Sequence, residues 1–170
     1  MMCGITGTPG TGKSSAADEL ARRGYPVTRL AETVKNYVIG EDSGRDTRII
    51  DEDRWAREFK PVEGIVEGHL AHLLPCDRVV ILRCRPDILL ARLRSRGYGE
   101  EKCRENAEAE AVDVCLIETR ERYEPRHILE LDTTGTSPSE VADLIEGFLE
   151  GRIPPSHGRI DWSDYFLEGP

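Results

Sequence analysis

The stretch Gly7-Thr8-Pro9-Gly10-Thr11-Gly12-Lys13-Ser14 decides how the rest of the chain is read. It fits G-x-x-x-x-G-K-[ST] at every fixed position. It stands between a short apolar segment, Met2 to Thr6, and a helical pattern that starts at Lys13. Glycines at these intervals let successive backbone N–H groups turn inward around an anion, and the positive end of the following helix strengthens the field. An ordinary glycine turn could share the letters, but the strand before and the helix after favour a phosphate loop. The expected ligand is ATP or another nucleoside triphosphate, with Lys13 reaching the β and γ phosphates and Ser14 offering its hydroxyl to Mg²⁺.

Outward from the loop, strand and helix signals alternate. The helix from Lys13 to Arg23 sets Ala16, Ala17, Leu20 and Ala21 on one side, and Gly24 stops it. Tyr25 to Leu30 reads as a second strand, Ala31 to about Ile39 as helical, and Gly40 to Arg48 as a mobile loop. Asp51 caps a helix through Trp55 and Phe59, and Gly64-Ile65-Val66-Glu67 is a short buried strand that ends in an acid. Arg78 to Arg83 is the clearest strand, and Pro86 opens the helix Asp87 to Arg94. After the break Gly97-Tyr98-Gly99, one long helix is expected from Glu100 to about Tyr123. His127 to Leu131 is a last strand, and Ser137-Pro138-Ser139-Glu140 opens a helix to Leu149. The alternation predicts an α/β fold of three layers, a parallel sheet of about five strands with helices on both faces. Residues 1–150 form the domain. The stretch 151–170, with Pro154, Pro155, Pro170 and the aromatic cluster Trp162 to Phe166, is a tail that docks on the domain or on a partner.

A chain of 170 residues suits one domain. Its 38% hydrophobic and 32% charged residues suit a packed core under a solvated surface, not wholesale disorder. The net charge of -9 disfavours a nucleic-acid coat and leaves room for a basic protein partner. Only Lys13, Lys35, Lys60 and Lys102 are lysines, against nineteen arginines, a bias that suits anion handling or reflects genome composition. The five cysteines form no Cys-x-x-Cys pair and read as reduced, mostly buried thiols. No apolar run reaches membrane-spanning length and the N-terminus lacks a signal-peptide pattern, so a soluble, cytoplasmic protein is expected.

A phosphate-loop enzyme also needs an acid at a neighbouring strand end to hold the metal's water shell, and Glu67 is so placed. His69 and His72 sit one helical turn apart, but a zinc site would need a third ligand, and none is evident. Arg83, Arg85, Arg92, Arg94 and Arg96 precede the glycine break. Most read as a solvated helix face, while Arg96, next to the hinge, is the candidate for neutralising charge on a transferring phosphoryl group.

Gly7 to Ser15, Ile50-Asp51-Glu52-Asp53-Arg54, Ile65-Val66-Glu67-Gly68-His69 and Arg96-Gly97-Tyr98-Gly99-Glu100-Glu101-Lys102 together resemble the small adenylate-kinase-like NTPases of archaea and of the eukaryotic nucleus, linked to late maturation of the small ribosomal subunit. The resemblance covers about residues 2 to 150 and implies an NMP-kinase-like P-loop fold. It implies ATP-phosphate contacts from Gly10, Gly12, Lys13, Ser14 and Ser15, and a nucleotide-binding lid arginine in Arg96. It further implies an NMP-binding segment over about 28–50, a short lid over about 95–105, and catalytic positions at Lys13, Arg96, His69 and Glu67. Mg²⁺ would be held by Ser14 and, through water, by Glu67. Where the family usually reads Asp-x-His this chain has Glu67-Gly68-His69, which keeps the charge and lengthens the reach. The usual monophosphate-gripping arginine has no clean match, and Lys35 is the nearest cation in register.

What the resemblance implies is reversible transfer, ATP + AMP to two ADP, with slow ATP hydrolysis. The rival is an ATP-switched assembly factor in rRNA processing that docks on a basic small-subunit ribosomal protein of the S-eleven family, with kinase activity incidental. A kinase for a shikimate-like or nucleoside acceptor is a third reading.

Overall fold

In the computed structural model, which describes residues 1–42 and 47–166, the apolar segments assemble into one parallel sheet. Its strands are β1 (Met2–Thr6), β2 (Val27–Arg29), β5 (Gly64–Glu67), β6 (Arg78–Arg83) and β7 (Ile128–Asp132). They lie in the order β2-β5-β1-β6-β7, and every pairing is parallel. β3 (Val38–Asp42) and β4 (Thr47–Ile50) form a separate antiparallel pair. The helices are α1 (Lys13–Arg22), α2 (Leu30–Thr33), α3 (Glu52–Glu58), α4 (Pro86–Ser95), α5 (Glu100–Ala111), α6 (Val114–Arg122) and α7 (Pro138–Leu149).

Strand side chains alternate between two apolar layers. Ile5, Ile65, Val80, Leu82 and Leu129 pack on Leu20 of α1 and on Val141, Ile145 and Phe148 of α7. Met2, Val66, Val79, Ile81 and Ile128 pack on Trp55 of α3 and on Cys115 and Leu116 of α6. Each fully buried side chain of this size contributes about 1.5–3 kcal/mol, so the two faces together fix the strand register. The three-layer α/β fold read from the sequence is what the chain adopts. α7 opens as its letters demand: Ser137 Oγ accepts from Glu140 N while Glu140 Oε2 accepts from Ser137 N at 2.8 Å.

Three local expectations change. The long helix after the glycine break is two helices, because Asp113 takes a left-handed φ of 60°. Arg83 donates to the Glu110 carbonyl at 2.9 Å and to the Asp113 carboxylate, and so occupies the acceptor a continuing helix would use. The helical stretch after Leu30 is only a short helix and a 3₁₀ turn, Val34–Tyr37. In the segment read as a loop from Gly40 to Arg48, Gly40 to Asp42 belong to β3 and Thr47 and Arg48 to β4; residues 43–46 lie outside the described residues. The tail docks on the domain as far as it is described. Ser156 lies beside the outer edge of β7, where Glu130 N donates to Ser156 O at 2.7 Å and Ser156 N to Ile128 O at 3.2 Å. Further on, Tyr165 packs on the cluster of Cys84, Leu89, Leu90, Leu93, Cys103 and Ala107 between α4 and α5.

All five cysteines are buried and free of disulfides. Among the described residues no helix is long and apolar enough to cross a membrane.

Candidate active site

β1 sends the chain toward β2 on one side of the sheet and its neighbour β6 sends it toward β7 on the other, so the loop after Thr6 sits at the topological switch point, where open α/β sheets bind ligands. Two glycines there have no substitute. Gly7 has φ 137°, and a Cβ on it would lie 2.3 Å from the Leu82 carbonyl oxygen. Gly12, at φ 98°, enters α1 without any side-chain cap, and the first helical N–H groups face the loop's hollow. Lys13 is buried and donates its Nζ to Gly7 O at 2.8 Å and to Thr8 O at 2.9 Å. Burial pushes its ammonium down to about 8, against the pull of Glu67 and Glu110.

Ser14 Oγ donates to Glu67 Oε1 at 3.2 Å, which joins the first turn of α1 to the end of β5. Gly68 follows because a Cβ there would meet the Leu30 Cβ at 2.9 Å. His69 is exposed and sets Nδ1 3.1 Å from Gly7 O; partial loss of solvent around the ring holds its pKa below the ordinary imidazole value. His72 goes elsewhere. It is fully buried between Thr6 Oγ1, 2.9 Å from Nδ1, and Glu118 Oε2, 2.8 Å from Nε2, so the two histidines do not share a metal site. Cys115 Sγ lies 3.9 Å from His69 Nδ1, and burial pushes that thiol up to about 12, which leaves it inert as a nucleophile.

On the β6–β7 side a cleft of about 250 Å³ opens next to the loop. Its walls are Gly10 to Gly12 and Ser15, the C-terminal turn of α4 with Arg92, Ser95 and Arg96, and Thr133, Thr136 and Pro138 from the segment leading into α7. Arg92 braces the far wall by donating to Thr133 O at 2.9 Å and Thr134 O at 3.1 Å. Arg96 stands exposed at the rim.

The loop is anchored from beneath by buried charge. Thr8 Oγ1 donates to Glu110 Oε2 at 2.6 Å, and Arg83 donates to Glu110 Oε1 and to Glu130 Oε1, both at 2.6 Å. Arg83 and the side chains of Glu110 and Glu130 are each 1% exposed.

Of the residues proposed from the sequence, Gly10, Gly12, Lys13, Ser14, Ser15, Glu67, His69 and Arg96 converge on this loop and cleft. Lys35 does not: it is exposed on the Val34–Tyr37 turn, whereas Arg29, at the end of β2, donates to Glu67 Oε2 at 2.9 Å. A charged residue that closes a strand was the available signal for Arg29. The arginine cluster divides. Arg85 and Arg94 form surface pairs with Asp87 and Glu100, Arg92 and Arg96 line the cleft, and Arg83 is not on a solvated face at all.

This sheet order, with a phosphate loop at the switch point and a cleft beside it, defines the class as a P-loop α/β protein of NMP-kinase-like fold. A family model described as an AAA domain matches residues 3–113, and the chain belongs to that family. It is 43% identical to a protein of Methanothermobacter thermautotrophicus named "Putative adenylate kinase", over 98% of this chain and 99% of that one. A protein of the same name from Thermococcus kodakarensis is 40% identical over 99% of this chain and 96% of its own length. Among solved structures, shikimate kinase from Acinetobacter baumannii in complex with shikimate superposes with a TM-score of 0.63 at 16% identity, covering 89% of this chain and 93% of that one. Deoxyadenosine kinase from M. mycoides with bound dATP gives 0.57 at 16% identity, covering 88% and 100%. At that identity the likeness is one of fold.

Proposed function

We propose that the protein is a nucleoside monophosphate kinase that transfers the γ-phosphoryl group of ATP to AMP and, in reverse, makes ATP and AMP from two ADP. The observation that carries the reading is the convergence of Lys13, Ser14 and Glu67 at the switch point, with a base-sized cleft on one side and Arg29 on the other. The full-length relatives named for adenylate kinase activity support it.

The division of labour follows from the geometry. The loop's inward N–H groups and Lys13 hold the donor phosphates, and the cleft beside Arg92 and Thr133 takes the base. Arg96, at the rim next to the Gly97 break, closes over the phosphates and offsets developing charge. An acceptor-phosphate oxygen bonds to the γ-phosphorus as the bond to the β–γ bridging oxygen breaks, and the electron pair leaves with ADP. In-line positioning and electrostatics supply the rate, so no covalent nucleophile is required. The Ser14 hydroxyl and Glu67 carboxylate, 3.2 Å apart, are hard oxygen donors that suit Mg²⁺, with Ser14 as direct ligand and Glu67 acting through water. Bound there, the ion would neutralise charge on the phosphate oxygens.

A second reading, an ATP-driven switch with hydrolysis as its main turnover, draws on His69, whose ring nitrogen faces the loop at Gly7 O and can orient a water. In that reading the net charge of -9 suits a basic partner, such as a small-subunit ribosomal protein, during ribosome maturation. The test is ADP production from ATP with and without AMP. AMP-dependent turnover that falls at least about 10²-fold in Lys13→Ala is the kinase result. ATP turnover that AMP does not accelerate rejects the kinase and leaves the switch.

A further inference from the structure

Arg29 closes β2 in register with Glu67 at the end of β5. Its guanidinium donates to Glu67 Oε2 at 2.9 Å and reaches Asp18 of α1, while the Ser14 hydroxyl takes the other oxygen of Glu67. Two carboxylates thus fill a planar fork that fits a phosphate monoester equally well. The Arg29 side chain is 28% exposed and that of Glu67 only 9%, so a solute meets the arginine before it meets the acid. Placement matters as much as chemistry. β2 and β5 flank β1 on the side opposite the base cleft, so a nucleotide seated in that cleft along the loop points its terminal phosphate toward Arg29 and Glu67.

We infer that Arg29 is the contact for the acceptor's anionic group and a latch on Glu67: it holds that carboxylate until a phosphate monoester takes the carboxylate's place. The inference rests on the phosphoryl-transfer reading and adds a control to it. Without an acceptor, both oxygens of Glu67 are engaged and its charge is offset, so it is poorly placed to orient water. Hydrolysis, in which a water oxygen bonds to the γ-phosphorus as ADP leaves and the proton passes to the released phosphate, is thereby held down. A dianionic monoester competes for the guanidinium better than a single carboxylate does, and an uncharged hydroxyl acceptor does not compete at all.

The test uses the full chain and the variants Arg29→Gln and Arg29→Lys, checked for wild-type melting. Calorimetric titrations without metal or ATP use AMP, adenosine and shikimate as phosphate, uncharged and carboxylate probes. Arg29→Gln should bind AMP at least about tenfold more weakly and leave adenosine unchanged, with Arg29→Lys between. Acceptor-free ATP hydrolysis should rise, about threefold or more, in Arg29→Gln. Unchanged AMP affinity, or hydrolysis that falls in a folded Arg29→Gln, overturns the inference. Normal AMP phosphorylation in Arg29→Gln removes the latch and leaves the kinase. Arg29-dependent binding of shikimate but not of AMP also overturns the inference, because the group that displaces Glu67 would then be a carboxylate and not a phosphate monoester.

Discussion

Thr8 donates a hydroxyl hydrogen bond to Glu110 Oε2 at 2.6 Å, which ties the phosphate loop to the last turn of α5, the helix that begins beyond the glycine break. The carboxylate that receives it is held on its other oxygen by Arg83 at 2.6 Å and by the Cys84 N–H at 3.1 Å. Thr8→Val keeps the shape and strips the donor from a buried carboxylate, a loss of about 1.5–3 kcal/mol. Arg83→Met leaves Glu110 and Glu130 buried without their cation and costs about 3–5 kcal/mol. Urea midpoints should rank wild type above Thr8→Val above Arg83→Met, with Thr8→Ser close to wild type.

Lys13 is a buried cation whose charge opposes stability. Its folded pKa of about 8 lies below the ordinary lysine value of 10.5, because burial penalises the charged form. Between those two values the unfolded chain binds more protons than the folded one, so stability from this group rises with pH across that window and is at its lowest below about pH 8. Lys13→Met should therefore be inactive yet melt higher than wild type at pH 7, with the gain fading as pH approaches 10.5. Nucleotide phosphates favour the charged form, so binding above about pH 8 should take up a proton. Titrations in two buffers of different ionisation heat would read that uptake.

Much of this candidate site was legible in the sequence. A phosphate loop announces itself because its chemistry is local: successive N–H groups and one lysine fall within eight residues. Glu67 was legible because a short apolar strand that ends in an acid is also a local pattern. Arg83 was not. Its neighbours Glu110, Asp113 and Glu130 come from 27 to 47 residues away, and nothing in a run of arginines marks the one that acids on other elements enclose. β3 and β4 escaped for a different reason. Ile39 is 69% exposed and Ile49 48% exposed, so the pair carries no buried face whose period could have marked it.

The break between α5 and α6 can be tested at Asp113. The residue holds a left-handed φ of 60° and pairs with Arg83. Asp113→Asn keeps a side chain that tolerates this conformation and loses only charge. Asp113→Ala loses the charge and adds about 1 kcal/mol of left-handed strain. Thermal melts should order wild type, Asn, then Ala. The reverse order would show that the break is set by the Glu110 carbonyl alone.

The tail gives the last prediction, because it covers the edge a sheet of this kind leaves open. β7 is the outer strand, and its exposed backbone is met by Ser156 O and Ser156 N, while Gly158 N donates to Glu130 Oε2 at 2.7 Å. The Glu130 carboxylate is therefore shared between the buried Arg83 and the tail, and the tail is joined to the charge network under the phosphate loop. Ser156→Pro removes one edge hydrogen bond and should cost about 1 kcal/mol. Truncation after Pro154 removes both Ser156 hydrogen bonds together with the one that satisfies Glu130 Oε2, and uncovers a strand edge that recruits other chains. The truncated protein should melt lower than Ser156→Pro, expose the Glu130 amide to faster hydrogen exchange, and form larger species on light scattering. If it melts like wild type, the tail is only resting on β7, and Glu130 is held by Arg83 alone.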